Sequence, residues 1–202
     1  EIYTPRTLFP YTTLFRSSRP QASLNHTKFA SLDLCRISYG ASVHVTSPAL
    51  ETIYHLQILL RGQCLSKSYG QEHYFAPGEL LLINPDDPVD LMYSADCEKF
   101  ILKLPLPLLD LTCAELRWHK PSEGIRFASN RHKLAELDGF MSLLGLVCQE
   151  AETDLVLPRV REHYTQIIAS KLLSLLGTNV NREALDVQSA PFERLEIGRA
   201  HV

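Results

Sequence analysis

The sequence predicts a mainly β protein with some helix, in which a β-barrel is followed by an antiparallel helical hairpin. Short apolar runs separated by turn residues fill the region between Leu32 and Leu104. After Pro105 the apolar positions recur every three or four residues instead, which is the period of a helix. The two helical stretches are joined by a short connection, and such connections favour antiparallel neighbours.

The strands come first. Most of the apolar runs have the length of a strand, and turn residues follow each of them, a pattern typical of an antiparallel sandwich or barrel. The turn Ala76-Pro77-Gly78 has its own chemistry, because proline presets φ and glycine supplies the positive φ of a type II turn. The predicted strands are Leu32–Tyr39, Val43–Thr46, Ile53–Leu60, Cys64–Tyr69, Glu79–Ile83 and Lys99–Leu104.

Two helices follow. A stripe from Leu134 to Ala151 predicts a first helix of about twenty residues, and Pro158 suits the first turn of a second one that ends at Gly177. The apolar stripe of the second helix is wider than packing on one barrel face requires. We assign the surplus to a self-association surface, with bulk core packing as the alternative. The residues assigned to dimerisation are Ile168, Leu172, Leu173 and Leu176.

Composition excludes several classes of protein. The chain of 202 residues has a net charge of −3 and no run of Lys or Arg, which argues against nucleic-acid binding by this chain. No apolar stretch reaches the roughly 18 residues that a membrane span needs. The five cysteines form no Cys-x-x-Cys pair. Their irregular spacing favours reduced thiols and a cytoplasmic location.

Catalytic and metal-binding patterns are weak. His44, His55 and His73 fall singly on different predicted strands, with Glu79 as the nearest acid. A metal site from these residues is possible, but isolated histidines more often have structural roles. The sequence has no nucleophile elbow and no phosphate-binding glycine loop that opens a helix. We therefore expect no enzymatic activity, no metal and no cofactor.

Four residues are candidates for binding a ligand. His55 and Gln57 share one face of their strand, where they would orient a ligand in an apolar cavity. The alternative is that this face points outward to solvent. Arg36 suits a carboxylate by bidentate hydrogen bonding, and Arg19 would do the same from an arm that closes over the barrel. Both arginines are equally compatible with a surface position.

Whole segments of the chain resemble the XylS/BenR group of AraC-family transcription activators, which control benzoate and toluate catabolism. The similarity runs from Arg19 to Arg194 and covers entire strands, so it is more specific than any single motif. Segments that carry it include LDLCRISYG (32–40), YHLQILLRG (54–62), GQEHYFAPGELLLINPDD (70–87), DCEKFILKLP (96–105), HKPSEGIRFA (119–128), LDGFMSLLGLVCQEAE (137–152) and PRVREHYTQIIASKLLSLLG (158–177).

The resemblance implies a cupin-like jelly-roll barrel that binds an effector, and a hairpin that forms a homodimer. The implied effector is benzoate or methylbenzoate, with its carboxylate on Arg19 or Arg36. Promoter DNA and RNA polymerase would be contacted only through a C-terminal helix-turn-helix domain that this chain lacks. Two alternatives remain: a metal-dependent cupin-type enzyme, and a dimerisation module that binds no ligand.

The resemblance also divides the chain. Residues 18–130 would be the effector-binding barrel, 131–178 the dimerisation hairpin, and 179–195 a linker. Residues 1–17 and 196–202 resemble translated sequencing adapter, and we expect them to be non-native. The alternative for the first segment is a natural disordered N-terminus.

Overall fold

The computed structural model describes residues 11–14, 22–68, 70–137, 139–153 and 157–182. Eleven strands in this part of the chain form two antiparallel sheets. The strands are β1 Tyr11–Leu14, β2 Ser23–Phe29, β3 Leu32–Ser38, β4 Val43–Ser47, β5 Ile53–Arg61, β6 Cys64–Ser68, β7 Gln71–Phe75, β8 Glu79–Ile83, β9 Val89–Tyr93, β10 Glu98–Pro105 and β11 Arg131–Lys133. The helices are α1 Leu106–Glu115, α2 Phe140–Ala151 and α3 Pro158–Leu175.

The two sheets pack face to face as a sandwich. One has the strand order β1-β4-β9-β6-β7, and the other has the order β11-β8-β5-β10-β3-β2. Mainly β structure with some helix is confirmed, and the predicted jelly-roll barrel takes the form of two sheets that do not close into one. In the described ranges each hydrogen-bonded ladder ends at an edge strand, and the sheets contact each other through side chains. Interdigitating apolar side chains hold two such layers together without a continuous ladder.

Successive side chains of each strand point to opposite faces of the six-stranded sheet, and the two faces belong to two separate cores. On β5 the residues Tyr54, Leu56 and Ile58 point outward into a core that the sheet shares with the helices. Leu59 points the other way, into a second core between the two sheets. The six-stranded sheet is therefore covered on both faces, and polar side chains at alternate positions of its strands are buried as well.

The helical region differs from the prediction in two ways. Helix α1 was not predicted, because its apolar residues show no stripe on one face. The first helix of the predicted hairpin is shorter than expected: a 3₁₀ turn at Leu134–Glu136 precedes it, and α2 begins only after Gly139. Gly139 has a φ of 65°, a left-handed conformation that interrupts a continuous helix. Helix α3 begins at Pro158, as predicted.

The residues assigned to dimerisation lie inside the protein. Ile168, Leu172, Leu173 and Leu176 are all buried in the core shared by α1, α2, α3 and the six-stranded sheet. They are not on a surface in this structure, because three helices and a sheet together need a wider apolar stripe than one barrel face does. An interface on α3 would have to use other side chains.

None of the helices in the described ranges is both long enough and apolar enough to span a membrane.

Candidate functional site

His55 and Gln57 point into the space between the two sheets. Both side chains are buried, so the alternative of an outward, solvated face is wrong. The register of β5 with β10 places Gln57 beside Ile101 and His55 beside Lys103. The inner face of this sheet therefore carries polar groups in the middle of an apolar interior.

Lys99 lies at the centre of this polar group. Its side chain is fully buried, and its Nζ donates a hydrogen bond of 3.3 Å to Oε1 of Gln57. The same Nζ lies 3.5 Å from the ring centroid of Tyr93 and 5.2 Å from that of Tyr39. An ammonium over aromatic faces is stabilised by the negative potential of the rings. Lys99, Gln57, Tyr39 and Tyr93 are called the interior cluster below.

Burial controls the charge of this cluster. Desolvation by burial lowers the pKa of Lys99 to about 7. His55 is also affected: burial, and then the positive charges of Lys103 and Lys99, lower its pKa to about 3. At neutral pH the histidine is therefore neutral, while Lys99 is close to its titration midpoint.

Two polar atoms of the interior cluster have no hydrogen-bond partner among the described residues. They are Nε2 of Gln57 and the hydroxyl of Tyr39. Oε1 of Gln57 is fully used, because it accepts from the Tyr93 hydroxyl at 2.6 Å as well as from Lys99. Both atoms without partners are able to donate, and buried donors without acceptors are rare in native proteins.

Arg36 is on the opposite face of the sheet. It points away from the interior cluster, and its Nε and Nη2 each lie 2.6 Å from Oε1 of Glu98. It lines a cleft of about 360 Å³ between the sheet and α2, whose walls include Leu34, Ile58 and Leu144. The structure therefore brings His55 and Gln57 together but separates them from Arg36. Arg19 lies outside the described residues.

A second cleft, on the side of the two loops that carry Asn84 and Arg126, has a structural explanation. Its volume is about 480 Å³, and Asn84, Asp87 and Arg126 are among its lining residues. The Asn84 side chain accepts from the backbone N–H of Phe127 and donates to the Phe127 carbonyl, so it substitutes for a backbone partner. Arg126 forms an ion pair with Asp87 beside it. These groups hold two loops together.

The histidines considered for a metal site are apart. His44 is paired with Asp90 through Nε2 at 2.6 Å, whereas His55 lies in the interior. Glu79 forms an ion pair with Arg131. In the described part of the chain, no group of three or more His, Cys, Asp or Glu side chains is placed to hold a metal ion.

Lys99 is not among the site residues predicted from the sequence, although the strand that contains it carries a recognisable signal. In the segment KFILKLP the residues Lys99, Ile101 and Lys103 share one face of β10, and the register puts that face beside Gln57 and His55. A lysine within a buried central strand is unusual, because lysine is almost never fully buried unless it has a partner.

Comparison with known proteins identifies the family. The profile of the AraC-binding-like domain matches residues 6–173. The chain belongs to the AraC-binding-like domain family. This match begins within residues 1–17, whose likeness to translated sequencing adapter predicts a non-native origin, and that origin stays a prediction.

Relatives within this family are closely similar in sequence. "XylDLEGF operon transcriptional activator 3" from Pseudomonas putida is 64% identical over 180 residues, which are 89% of this chain and 54% of the relative. Another XylDLEGF operon transcriptional activator from the same organism is 62% identical over 180 residues, 89% of this chain and 56% of the relative. The chain thus spans about half the length of the curated relatives it matches.

A solved structure supports the fold of this AraC-binding-like domain. The crystal structure of the AraC-like transcriptional activator CuxR matches with a TM-score of 0.62 and 12% sequence identity, over 89% of this chain and 64% of that one. At such low identity the likeness shows the fold alone.

Proposed function

We propose that this chain is the effector-sensing and dimerisation region of an AraC-type transcription activator, and that its effector is a small aromatic carboxylate such as benzoate or methylbenzoate. The observation that carries the proposal is the 64% identity to a transcriptional activator of the XylDLEGF operon over 89% of the chain. Function is usually shared at this level of identity over whole strands and helices.

The interior of the sandwich supports an aromatic acid as the effector. The packed interior between the sheets consists of apolar side chains and the rings of Tyr39 and Tyr93, with an amine and an amide among them. An apolar site with a few polar groups that fix the orientation is typical of small-molecule recognition. In this proposal the chain is not an enzyme, and it acts in the cytoplasm.

The first experiment is a thermal-shift titration of the whole chain with benzoate and 3-methylbenzoate, and with arabinose as the control ligand. A ligand that binds only the folded state raises the melting temperature in proportion to ln(1 + [L]/Kd). We expect an increase of a few degrees at about one hundred times Kd with either acid, and none with arabinose. Cooperative unfolding without any shift would contradict the proposal.

The two rival functions have distinct outcomes in the same preparation. A metal-dependent cupin-type enzyme would retain bound metal after purification in chelator-free buffer, and metal analysis would detect it. A dimerisation module that binds no ligand would be dimeric and would show no thermal shift with any aromatic acid.

We also propose a homodimer, formed by the face of α3 that remains exposed. Ile167 and Leu175 lie on this face with 49% and 38% of their surface exposed, and Val160 is exposed beside them. Positions 160, 167 and 175 lie close together around the helix at 3.6 residues per turn. An apolar stripe of this kind is typical of an interaction surface.

Replacing Ile167 and Leu175 together by aspartate should convert the dimer to a monomer in sedimentation velocity, because two charges would be buried at the interface. The control is Tyr74→Asp on β7, which places a charge at a large side chain away from α3 that is 65% exposed. The control should leave the dimer intact. A double variant that sediments like the wild type would remove this face of α3 from the interface.

Contact with promoter DNA and RNA polymerase is assigned in this proposal to a part of the activator other than the residues described. The chain carries a net charge of −3, which is unfavourable for binding the phosphate backbone of DNA. Effector binding would act on that other part by favouring one of two arrangements of the dimer.

A further inference from the structure

The hydrogen-bond donors of the interior cluster lie side by side between the two sheets, around Nζ of Lys99. Lys99 contributes an amine, Gln57 contributes an Nε2 whose hydrogens have no acceptor among the described residues, and Tyr39 contributes a hydroxyl without a partner there. The one amide oxygen of the cluster is already saturated by Tyr93 and Lys99. A ligand bound at this position would therefore need to accept hydrogen bonds, and a negative charge on it would strengthen its binding most.

We propose that Lys99, with Gln57 and Tyr39, binds the carboxylate of the effector between the two sheets. This inference rests on the proposed function and names the residues that would recognise the acid group. A carboxylate accepts several hydrogen bonds at once and bears the charge opposite to that of an ammonium. Its attraction to Lys99 would be strong, because water is excluded from the sandwich interior.

The aromatic rings of the cluster fit the rest of such a ligand. The centroids of Tyr39 and Tyr93 are 5.7 Å apart, with their planes inclined at 38°. Rings of this kind pack favourably against a further aromatic ring, at centroid distances of about 4.5–7 Å. The class of ligand is thus a ring with one carboxylate attached.

Arg36 is a weaker candidate for the same role. Its guanidinium is more than half exposed, and Glu98 already occupies its Nε and Nη2. A ligand carboxylate would have to displace the carboxylate of Glu98, and water would screen the new ion pair. The cleft beside Arg36 is separated from the interior cluster by the sheet itself.

Binding in the interior requires side chains to move. Lys99 and Gln57 have no exposed surface, so no water-sized space adjoins them in this structure. Tyr39 is only partly buried, although its hydroxyl is enclosed, so it extends from the surface to the interior cluster. A transient displacement of Tyr39 would open a path to Lys99, and the interior side chains would then repack around the ligand with the Tyr39 hydroxyl on its carboxylate. A ligand that binds only this repacked state shifts the population toward it, as sensing requires.

The test is isothermal titration of the whole chain with benzoate and with benzyl alcohol, a neutral analogue of similar size. Lys99→Met keeps the length of the side chain and removes the charge. It should weaken benzoate binding about 30-fold or more while changing benzyl alcohol binding less than about threefold. Tyr39→Phe removes only a hydroxyl without a described partner, and should weaken benzoate binding by about three- to tenfold.

Arg36→Gln is the matched control on the opposite face of the sheet, and should leave benzoate affinity unchanged. Thermal melts of each variant establish that it is folded. If the wild type binds benzoate and Lys99→Met binds it equally well, the inference is overturned while the proposed function stands. If only Arg36→Gln loses benzoate affinity, the carboxylate binds in the cleft against α2 and the inference is overturned. A wild type that binds neither compound would overturn the proposed function as well.

Discussion

Replacing Leu172 by alanine is expected to lower the free energy of unfolding by about 3 kcal/mol, and replacing it by aspartate should lower it further. Leu172 is fully buried in the core between the helices and the six-stranded sheet. The alanine variant loses the transfer free energy of the removed atoms and leaves a cavity, and the aspartate variant buries a charge without a prepared partner. Urea unfolding followed by circular dichroism measures both.

The control for Leu172 is Leu111→Ala on α1, a leucine outside the exposed face of α3. Leu111 is 64% exposed, so its truncation should cost less than about 1 kcal/mol. Unfolding should be repeated over a hundredfold range of protein concentration. If the cost of Leu172→Ala disappeared at low protein concentration, where the wild type is itself monomeric, Leu172 would belong to an interface between copies instead of the core. A cost no larger than that of Leu111→Ala would also contradict its place in the core.

The strands that the sequence predicts are those bounded by turn residues. β5 and β8 are bounded by turns and are rich in apolar residues, and the structure confirms both within one residue at each end. β2 was missed because its sequence SLNHTKF is polar along most of its length. It is an edge strand that is largely exposed, so its pairing with β3 leaves little pattern in its own residues.

The apolar stripe of helix α3 is predicted correctly, but its residues are buried and do not form the surface that was expected. The sequence does not show how many helices and strands pack against this stripe. Helix α1 packs against α3 and had not been predicted, so residues such as Ile168 and Leu173 were treated as surplus. The packing of a third helix is a long-range contact, and no local spacing reports it.

Only part of the candidate site could be predicted, again because burial depends on long-range contacts. The two-residue period of a β-strand places His55 and Gln57 on one face, but it does not decide whether that face points inward. Lys99 was missed because lysine on a strand is normally exposed. Its burial depends on the register between β5 and β10, together with Tyr39 from the end of β3 and Tyr93 from the opposite sheet.

The buried amine of Lys99 should make the protein more stable as the pH rises from 7 to 8.5. The pKa of Lys99 is lowered from 10.5 to about 7 by burial, so above pH 7 the folded protein releases a proton that the unfolded chain retains. The unfolded state then binds more protons, and stability increases with pH. The total gain over this interval is about 1.5 kcal/mol, measurable as urea unfolding at several pH values.

Other buried groups titrate outside this interval. The pKa of His55 is lowered from 6.5 to about 3, so it reduces stability only as the pH falls below about 6.5. Burial raises the pKa of Cys64 from 9.0 to about 12 and that of Cys97 to about 11. Those thiols reduce stability only as the pH approaches 9 and above, where the unfolded thiols ionise. Tyr39 and Tyr93 act at still higher pH, since burial raises their pKa values from 10.0.

Lys99→Met should abolish the increase in the free energy of unfolding between pH 7 and 8.5. The variant should also be more stable than the wild type at pH 6, because an apolar side chain replaces a buried charge. Lys28→Met, at an exposed position on β2, should retain the wild-type slope. Saturating benzoate should also remove the slope from the wild type, since a bound carboxylate would keep Lys99 protonated in the folded state. A wild-type slope that persists in Lys99→Met would assign the titration to another group and would leave the interior cluster without its proposed charge.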